Sequence, residues 1–211
     1  MLKLVRPAVA ALAATAAAIG LSLPGAALAA DAPAPNYLPA SDTATFQSAQ
    51  AIVEGATGKN VKSTIYVFMD PNCIFCHFAW KAFQPYEAAG LQVHWIPLGF
   101  LKADSPGKAA ALLQAKDGPA LLRELETRFS EKDESGGIAP LANVPFSAQV
   151  ALDGNTQRFQ AMGFNSTPTI IYATSGGRWA DFSGLPPLHT LPTMLNLPEQ
   201  AITDPSLQRF R

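Results

Sequence analysis

Apolar and polar positions change rhythm several times along this 211-residue chain. Residues 63–70, STIYVFMD, are β-branched and aromatic with little polar interruption, the mark of a strand covered on both faces. Asp70-Pro71-Asn72 breaks that run. From Cys73 the spacing turns helical, through Trp80 and Phe83 toward Ala89, with a kink predicted at Pro85 and an end at Gly90. Residues 91–99, LQVHWIPLG, predict a second buried strand. Residues 105–162 are mainly helical. Ser105-Pro106 starts one helix, KAAALLQAK, and Asp117-Gly118-Pro119 starts another, ALLRELETRF. Charged residues 131–137 predict a solvated loop, and a further helix covers roughly 146–162, weakly broken near Gly154. TPTIIYAT (167–174) predicts a strand, Gly176-Gly177 a hairpin turn, RWADFSG its partner, and 187–197 a short helix interrupted at Pro192. Upstream, Phe46, Ala49, Ile52 and Val53 recur at helical spacing, predicting a helix over 42–54 that Gly55 and Gly58 stop.

The order is therefore βαβ, a helical insertion, then a C-terminal ββα unit. That is an α/β, thioredoxin-like arrangement, with a mixed sheet between helices. Lys3 and Arg6, an apolar run from Ala8 to Leu23, and small residues at 26–30 predict a cleaved secretory signal over 1–29. Residues 30–41 are Ala/Pro-rich and read as an extended tether. The expected division is signal 1–29, tether 30–41, linker helix 42–58 and catalytic domain 59–211. Loss of the signal removes Lys3 and Arg6 and no acid, leaving 13 basic against 16 acidic residues and a formal charge of −3. That balance argues against a nucleic-acid partner, which needs a basic face.

Export gives the two cysteines their meaning. Cys73 and Cys76 are the chain's only pair, separated by Ile74-Phe75 and followed by His77. A bridge between them closes almost no loop, so it contributes little stability and points to exchange chemistry. A cysteine at a helix N-terminus sits among unpaired N–H groups and the positive dipole end, which favour the thiolate. Cys73 is thus expected to be the exposed attacking sulfur and Cys76 the buried resolving one. The apolar Ile74-Phe75 pair offers a surface for apolar client segments. The string C-x-x-C-H also matches covalent haem attachment, with His77 as proximal ligand and Met69, Met162 or Met194 as distal candidates. The strand before the motif and the TPTIIY strand after it favour the redox reading, so no cofactor is expected. Scattered His77, His94 and His189 do not form a zinc set. His94 reads as a core residue and His77 as solvent-facing or groove-lining. Trp80, Trp95 and Trp179 read as core residues. Glu54, Lys81 and Glu87 are candidates for tuning proton transfer to Cys76, although each reads more simply as a solvated charge.

Thr167-Pro168 stands immediately before a strand, where thioredoxin-like folds carry a cis-proline facing the C-x-x-C pair. Together, IYVFMDPNCIFCHFAW, SPGKAAALLQAKDGPA, STPTIIY and GLPPLHTLPTML resemble the DsbC/DsbG family of periplasmic disulfide isomerases and reductases, over about residues 61–196. The resemblance implies that Cys73 is the nucleophile, Cys76 its partner and Thr167-Pro168 the cis-proline loop. It also implies exported protein clients and electrons from the DsbD membrane relay. Family members carry an N-terminal dimerisation domain for which residues 30–41 leave no room, so a monomer is expected. Reduction or isomerisation of disulfides, reduction of sulfenylated cysteines, oxidation with DsbB as partner, and client binding without turnover all remain open readings of the motif.

Overall fold

The computed structural model describes residues 34–211. The signal reading of 1–29 and the first part of the tether lie outside them. Six strands form one sheet: β1 (Asn36–Tyr37), β2 (Ile52–Gly55), β3 (Ser63–Met69), β4 (Leu91–Pro97), β5 (Thr169–Ala173) and β6 (Trp179–Ser183), in the order β1-β6-β5-β3-β4-β2. The β3 and β4 strands pair in parallel, Ile65 opposite Val93, while β5 runs antiparallel to β3, Val67 opposite Ile170. The parallel pair needs a crossover, which α2 (Ile74–Ala89) supplies. The expected helical insertion is present as α3 (Ser105–Gln114), α4 (Gly118–Thr127) and α5 (Phe146–Ala161).

Successive residues of β3 face opposite sides of the sheet and serve two cores. Ile65, Val67 and Met69 pack with Phe78, Phe83 and Trp95 beneath α2, in the core that also takes Leu122 and Leu125 of α4. Tyr66 and Phe68 pack on the other face with Phe46 and with Phe159 of α5. That is why the 63–70 run has no polar alternation. Trp80 and Trp95 are core residues, as expected, and Trp179 packs edge-on to Phe46 and Tyr66.

Five local expectations are corrected. The 42–54 segment is not one helix: α1 covers only Thr43–Gln47, and Ile52–Gly55 is an edge strand antiparallel to β4. The apolar positions Phe46 and Ile52 serve opposite faces of the sheet, so their helical spacing was coincidental. Part of the tether, Asn36–Tyr37, pairs with β6, fixed by a 2.7 Å bond from Asn36 Nδ2 to Asp181 Oδ1. Gly154 does not break α5, whose Asn155 side chain accepts from Gln50 N–H and donates to the Gln50 and Pro97 carbonyls. Pro192 lies in the first turn of α6 (Leu191–Leu195), where its missing N–H costs nothing, and a 3-10 turn (Leu188–Thr190) precedes it. The α2 helix runs unbroken past Pro85 to Gly90, whose φ of 120° suits glycine at a helix end.

Glu54 of β2 is buried, accepting from the Trp80 indole N–H at 3.0 Å and from Arg123 at 3.3 Å. Half-buried Glu87, near the end of α2, feels both burial and the Glu54 charge, and these push its carboxyl up to about 8. A carboxyl raised by folding adds stability that is fully present below its unfolded value and is lost as pH rises from there through its folded value. Glu87→Gln should therefore be more stable than the parent above pH 8 and closely matched to it near pH 5, as read from paired thermal melts.

Candidate active site

The loop from Asp70 to Cys73 is held by an unusually dense set of polar contacts. Asp70, at the end of β3, is almost fully buried. Its Oδ1 accepts from Asn72 N–H (3.0 Å) and the Ser105 hydroxyl (2.7 Å), and its Oδ2 from the N–H groups of Phe100 (2.8 Å) and Leu101 (3.0 Å). Asn72 is equally buried. Its Nδ2 donates to Asp104 (2.8 Å) and to the Ser105 hydroxyl (2.9 Å). Its Oδ1 accepts from the Lys108 ammonium (2.9 Å) and Gly136 N–H (3.1 Å). Lys108, 3% exposed on α3, also reaches Asp104 and Ser135, and its bond to Asp104 holds that carboxyl below the usual range. A cation this deeply buried is tolerable only because every donor direction has a partner. Gly136 closes the ring: a Cβ there would run into the Pro71 carbonyl. The end of the charged 131–137 loop is thus packed under the site rather than solvated as expected.

Cys73 occupies the N-cap of α2. Its N–H donates to the Asp70 carbonyl (3.0 Å), its carbonyl accepts from His77 N–H (3.1 Å), and its sulfur accepts from Cys76 N–H at 3.3 Å. The same thiol donates to the Thr167 carbonyl at 3.3 Å. The Thr167–Pro168 peptide is cis. The structure therefore brings Cys73, Cys76, Thr167 and Pro168 together. Cys76 is fully buried one helical turn on, and both cysteines are free.

The division between the sulfurs is electrostatic. A hydrogen bond from the Cys76 thiol is the largest influence holding the Cys73 thiol below its ordinary value. Burial opposes it. The Thr167 side chain and the N–H groups of Cys76 and Phe75 add to the lowering. The Thr167 hydroxyl is buried without a geometric hydrogen-bond partner, so it is free to turn toward a charged sulfur. Cys76 moves well above its ordinary value, chiefly through burial, then through Cys73 and the nearby Glu126 charge. The expected helix-end effect is real, but the neighbouring thiol outweighs it.

Other expectations change. Cys73 is only 5% exposed, because its sulfur turns inward to Cys76 N–H and the Thr167 carbonyl. Phe75, two residues on, is 47% exposed, and Phe100 and Leu101 are exposed on the loop anchored by Asp70. Ile74 is partly buried against the core. His77 is neither solvent-facing nor groove-lining but buried, stacked on Phe129 at 4.5 Å and 2.8 Å from Glu126. His94 is half-buried in β4 within 3.0 Å of Gln92, and burial lowers its pKa, while His189 is exposed. Glu54 faces Trp80 and Arg123, Glu87 lies near the far end of α2, and Lys81 joins Glu131 and Asp204 near the surface. Asn72, Lys108 and Glu126 escaped the sequence reading. Glu126 carried a signal: it stands four residues after Leu122, on the buried stripe of α4.

No family model matches the chain. Among curated proteins it is similar to the thiol:disulfide interchange protein DsbG of Pseudomonas aeruginosa, 34% identical over 123 residues, 58% of this chain and 46% of that protein. DsbG of Escherichia coli is 32% identical over 137 residues, 63% of this chain and 52% of that one. The chain resembles these proteins over about three-fifths of its own length, and it spans about half the length of the curated relatives it matches. A periplasmic thioredoxin-like protein from Salmonella enterica serovar Typhimurium superposes with a TM-score of 0.57 at 18% identity, covering 75% of this chain and 96% of that one. The fold is thioredoxin-like.

Because the Cys76 thiol is the main support of the Cys73 thiolate, Cys76→Ala should move Cys73 back toward about 8.5, the ordinary thiol value. Thiolate absorbance at 240 nm, followed against pH in the parent and the variant, reads the shift.

Proposed function

We propose that this protein is a periplasmic thiol–disulfide oxidoreductase acting on cysteines of exported proteins. The observation that carries the reading is the asymmetry of the pair: a Cys73 sulfur favoured as thiolate at the start of α2, and a Cys76 thiol kept protonated one turn deeper. Attack needs a thiolate, and release needs a second thiol that waits.

In the reducing direction the Cys73 thiolate attacks a client disulfide. A Cys73–client bond forms, and one client sulfur leaves with its electron pair and takes a proton. Cys76 then attacks the Cys73 sulfur. The Cys73–Cys76 bond forms, the second client thiol is freed, and two electrons have passed to the client. If a client thiol attacks the mixed disulfide instead, the outcome is isomerisation. A sulfenylated client cysteine gives the same mixed disulfide with loss of water. The Thr167 hydroxyl, buried beside the reacting sulfur, supports that substrate class as a donor to it. Exposed Phe75, Phe100 and Leu101 supply an apolar rim for unfolded client segments. The likeness to DsbG supports the same assignment, with the DsbD relay as electron source.

One observation favours the opposite direction. Stabilising the Cys73 thiolate stabilises the dithiol form and makes the disulfide a better oxidant. The haem reading has less support. The His77 ring is stacked on Phe129, and its two nitrogens face Glu126 and Glu131 at 2.8 and 3.8 Å, so neither is turned toward an open axial position. Met69 is fully buried in the core.

Cys76→Ala expressed in a periplasm should accumulate mixed disulfides with exported proteins, resolved by thiol reductant on a gel. Cys73→Ser should accumulate none and lose disulfide-reductase activity by at least about a hundredfold. Client binding retained by Cys73→Ser with no trapped species in Cys76→Ala would instead make the protein a non-catalytic client binder. Redox state in a host lacking the membrane reductant separates the two directions: a reductase accumulates oxidised there, and an oxidant does not respond.

A further inference from the structure

A cation that the chemistry above leaves unused stands on the surface that leads away from the cysteine pair. A 3-10 helix near the C-terminal end, Pro205–Phe210, packs against α2. Its anchors are Leu207, fully buried in the core, and Lys81 of α2, which meets Asp204 at 3.0 Å and the Ser206 hydroxyl at 2.8 Å. This packing sets Phe210 against Phe78, ring centres 5.4 Å apart, and edge-on to Phe75 at 6.4 Å. Phe75 and Phe78 meet edge-on at 6.3 Å. The Arg209 guanidinium lies over two of these rings, 4.6 Å from the centre of Phe78 and 5.0 Å from that of Phe210. The segment lies beyond the stretches that resemble the DsbC/DsbG family, so the resemblance assigns it no role.

The aromatic surface is continuous with the reacting sulfur. The nitrogen that donates to Cys73 Sγ belongs to the peptide joining Phe75 to Cys76. The Phe75 ring, 47% exposed, springs from that same peptide and leads outward to Phe210. Arg209 is itself exposed. Arg123 and Arg128 spend their charge on Glu54 and Glu124, whereas Arg209 has no salt bridge and no side-chain hydrogen bond among the described residues. Lys81, the other cation on this face, is engaged by Asp204 and Glu131. Stacking uses the flat face of the guanidinium and leaves its in-plane N–H donors to solvent, in the fork that matches a carboxylate. The rings also fix the long side chain beforehand, which lowers the entropy lost on binding. An anchoring role does not account for the exposed charge, because Leu207 and the Lys81 contacts already hold the segment. The chain's formal charge is negative, so its overall field disfavours an acidic ligand, and a preference for one has to come from a local cation.

Resting on the exchange reading, we infer that Arg209, seated on Phe78 and Phe210, is a specificity-determining residue that selects client segments carrying an acidic side chain near the reacting cysteine. The client carboxylate takes the edge of the guanidinium, apolar neighbours lie on Phe75, and the client sulfur meets Cys73.

The test uses the reduced full chain and short peptides whose single cysteine is held as a disulfide with a thiopyridyl group. The Cys73 thiolate attacks the peptide sulfur and a Cys73–peptide bond forms. The pyridine thiolate leaves with its electron pair and takes a proton, and the near-ultraviolet absorbance of the resulting thiopyridone gives the rate. Cys76 then displaces the peptide thiol. The peptides are identical but for one Glu or Lys placed up to four residues before or after the cysteine, a reach of about 13 Å along an extended chain. Each rate is divided by that of mercaptoethanol, a neutral thiol, with the same peptide, which removes the peptide's own reactivity. The Glu-to-Lys ratio within one variant then cancels any change in the Cys73 thiolate. At low salt the parent should favour Glu about threefold at one or more positions, and about 1 M salt should erase the preference. Arg209→Gln, at an exposed position, should bring the ratio to about one or below. Arg178→Gln removes the same charge from a comparable seat, 3.7 Å over the Tyr37 ring, at the far end of β5 from Pro168, and should leave the preference in place. A parent with no preference for Glu at any position overturns the inference, as does a preference that survives Arg209→Gln or vanishes in Arg178→Gln. Release of thiopyridone from none of the peptides overturns the exchange reading instead.

Discussion

Everything distinctive about this molecule depends on the Cys73 sulfur being received by the first turn of α2. Its acceptance of the Cys76 N–H replaces the oxygen cap that a serine or aspartate gives an ordinary helix. The cap and the nucleophile are the same atom. A sulfur in that role is stabilised most when it is charged, so the geometry that starts the helix also prepares the reagent. The consequence for pH follows from the direction of the shift. A thiol depressed on folding adds stability to the reduced protein that is fully present above its unfolded value and is lost as pH falls through its folded one.

Holding one atom in place takes contributions from far along the chain. Asp70 and Asn72 flank the turn, but their partners come from residues 100–108 and 135–136. The insertion between β4 and β5 is therefore more than a decoration of the sheet. The α3 helix supplies Lys108, α4 supplies Glu126, and the loop after α4 supplies Gly136 under Pro71. Because every buried polar group in this set has a partner, loss of any one leaves its neighbours unsatisfied at about 1–3 kcal/mol each. On the opposite side the loop leading into β5 presents Thr167 and Pro168, so the sulfur is bracketed by two segments nearly a hundred residues apart in sequence.

How far the sequence could be read follows from the range of each signal. The β3–α2–β4 unit, the insertion and the β5–β6 hairpin were legible because buried strands and capped helices leave local patterns. Cys73, Cys76, Thr167 and Pro168 were legible because the motif and the Thr-Pro step are contiguous strings. Residues 42–54 misled because Phe46 and Ile52 sit at helical spacing yet belong to opposite faces of the sheet, a fact set only by pairing with β4. Asn72, Lys108 and Glu126 are polar residues whose burial depends on partners across the fold, and a lone lysine in an alanine-rich helix does not announce them. His77 was misread for the same reason: its surroundings, Phe129 and Glu126, come from α4 and the residues just beyond it.

The central claim is that the two sulfurs are unequal, with Cys73 reactive and Cys76 held in reserve. Timed alkylation of the reduced protein with iodoacetamide at pH 7, followed by peptide mapping, tests it directly. The account predicts that label enters Cys73 while Cys76 stays unmodified. Equal labelling of both, or labelling of Cys76 first, would contradict it.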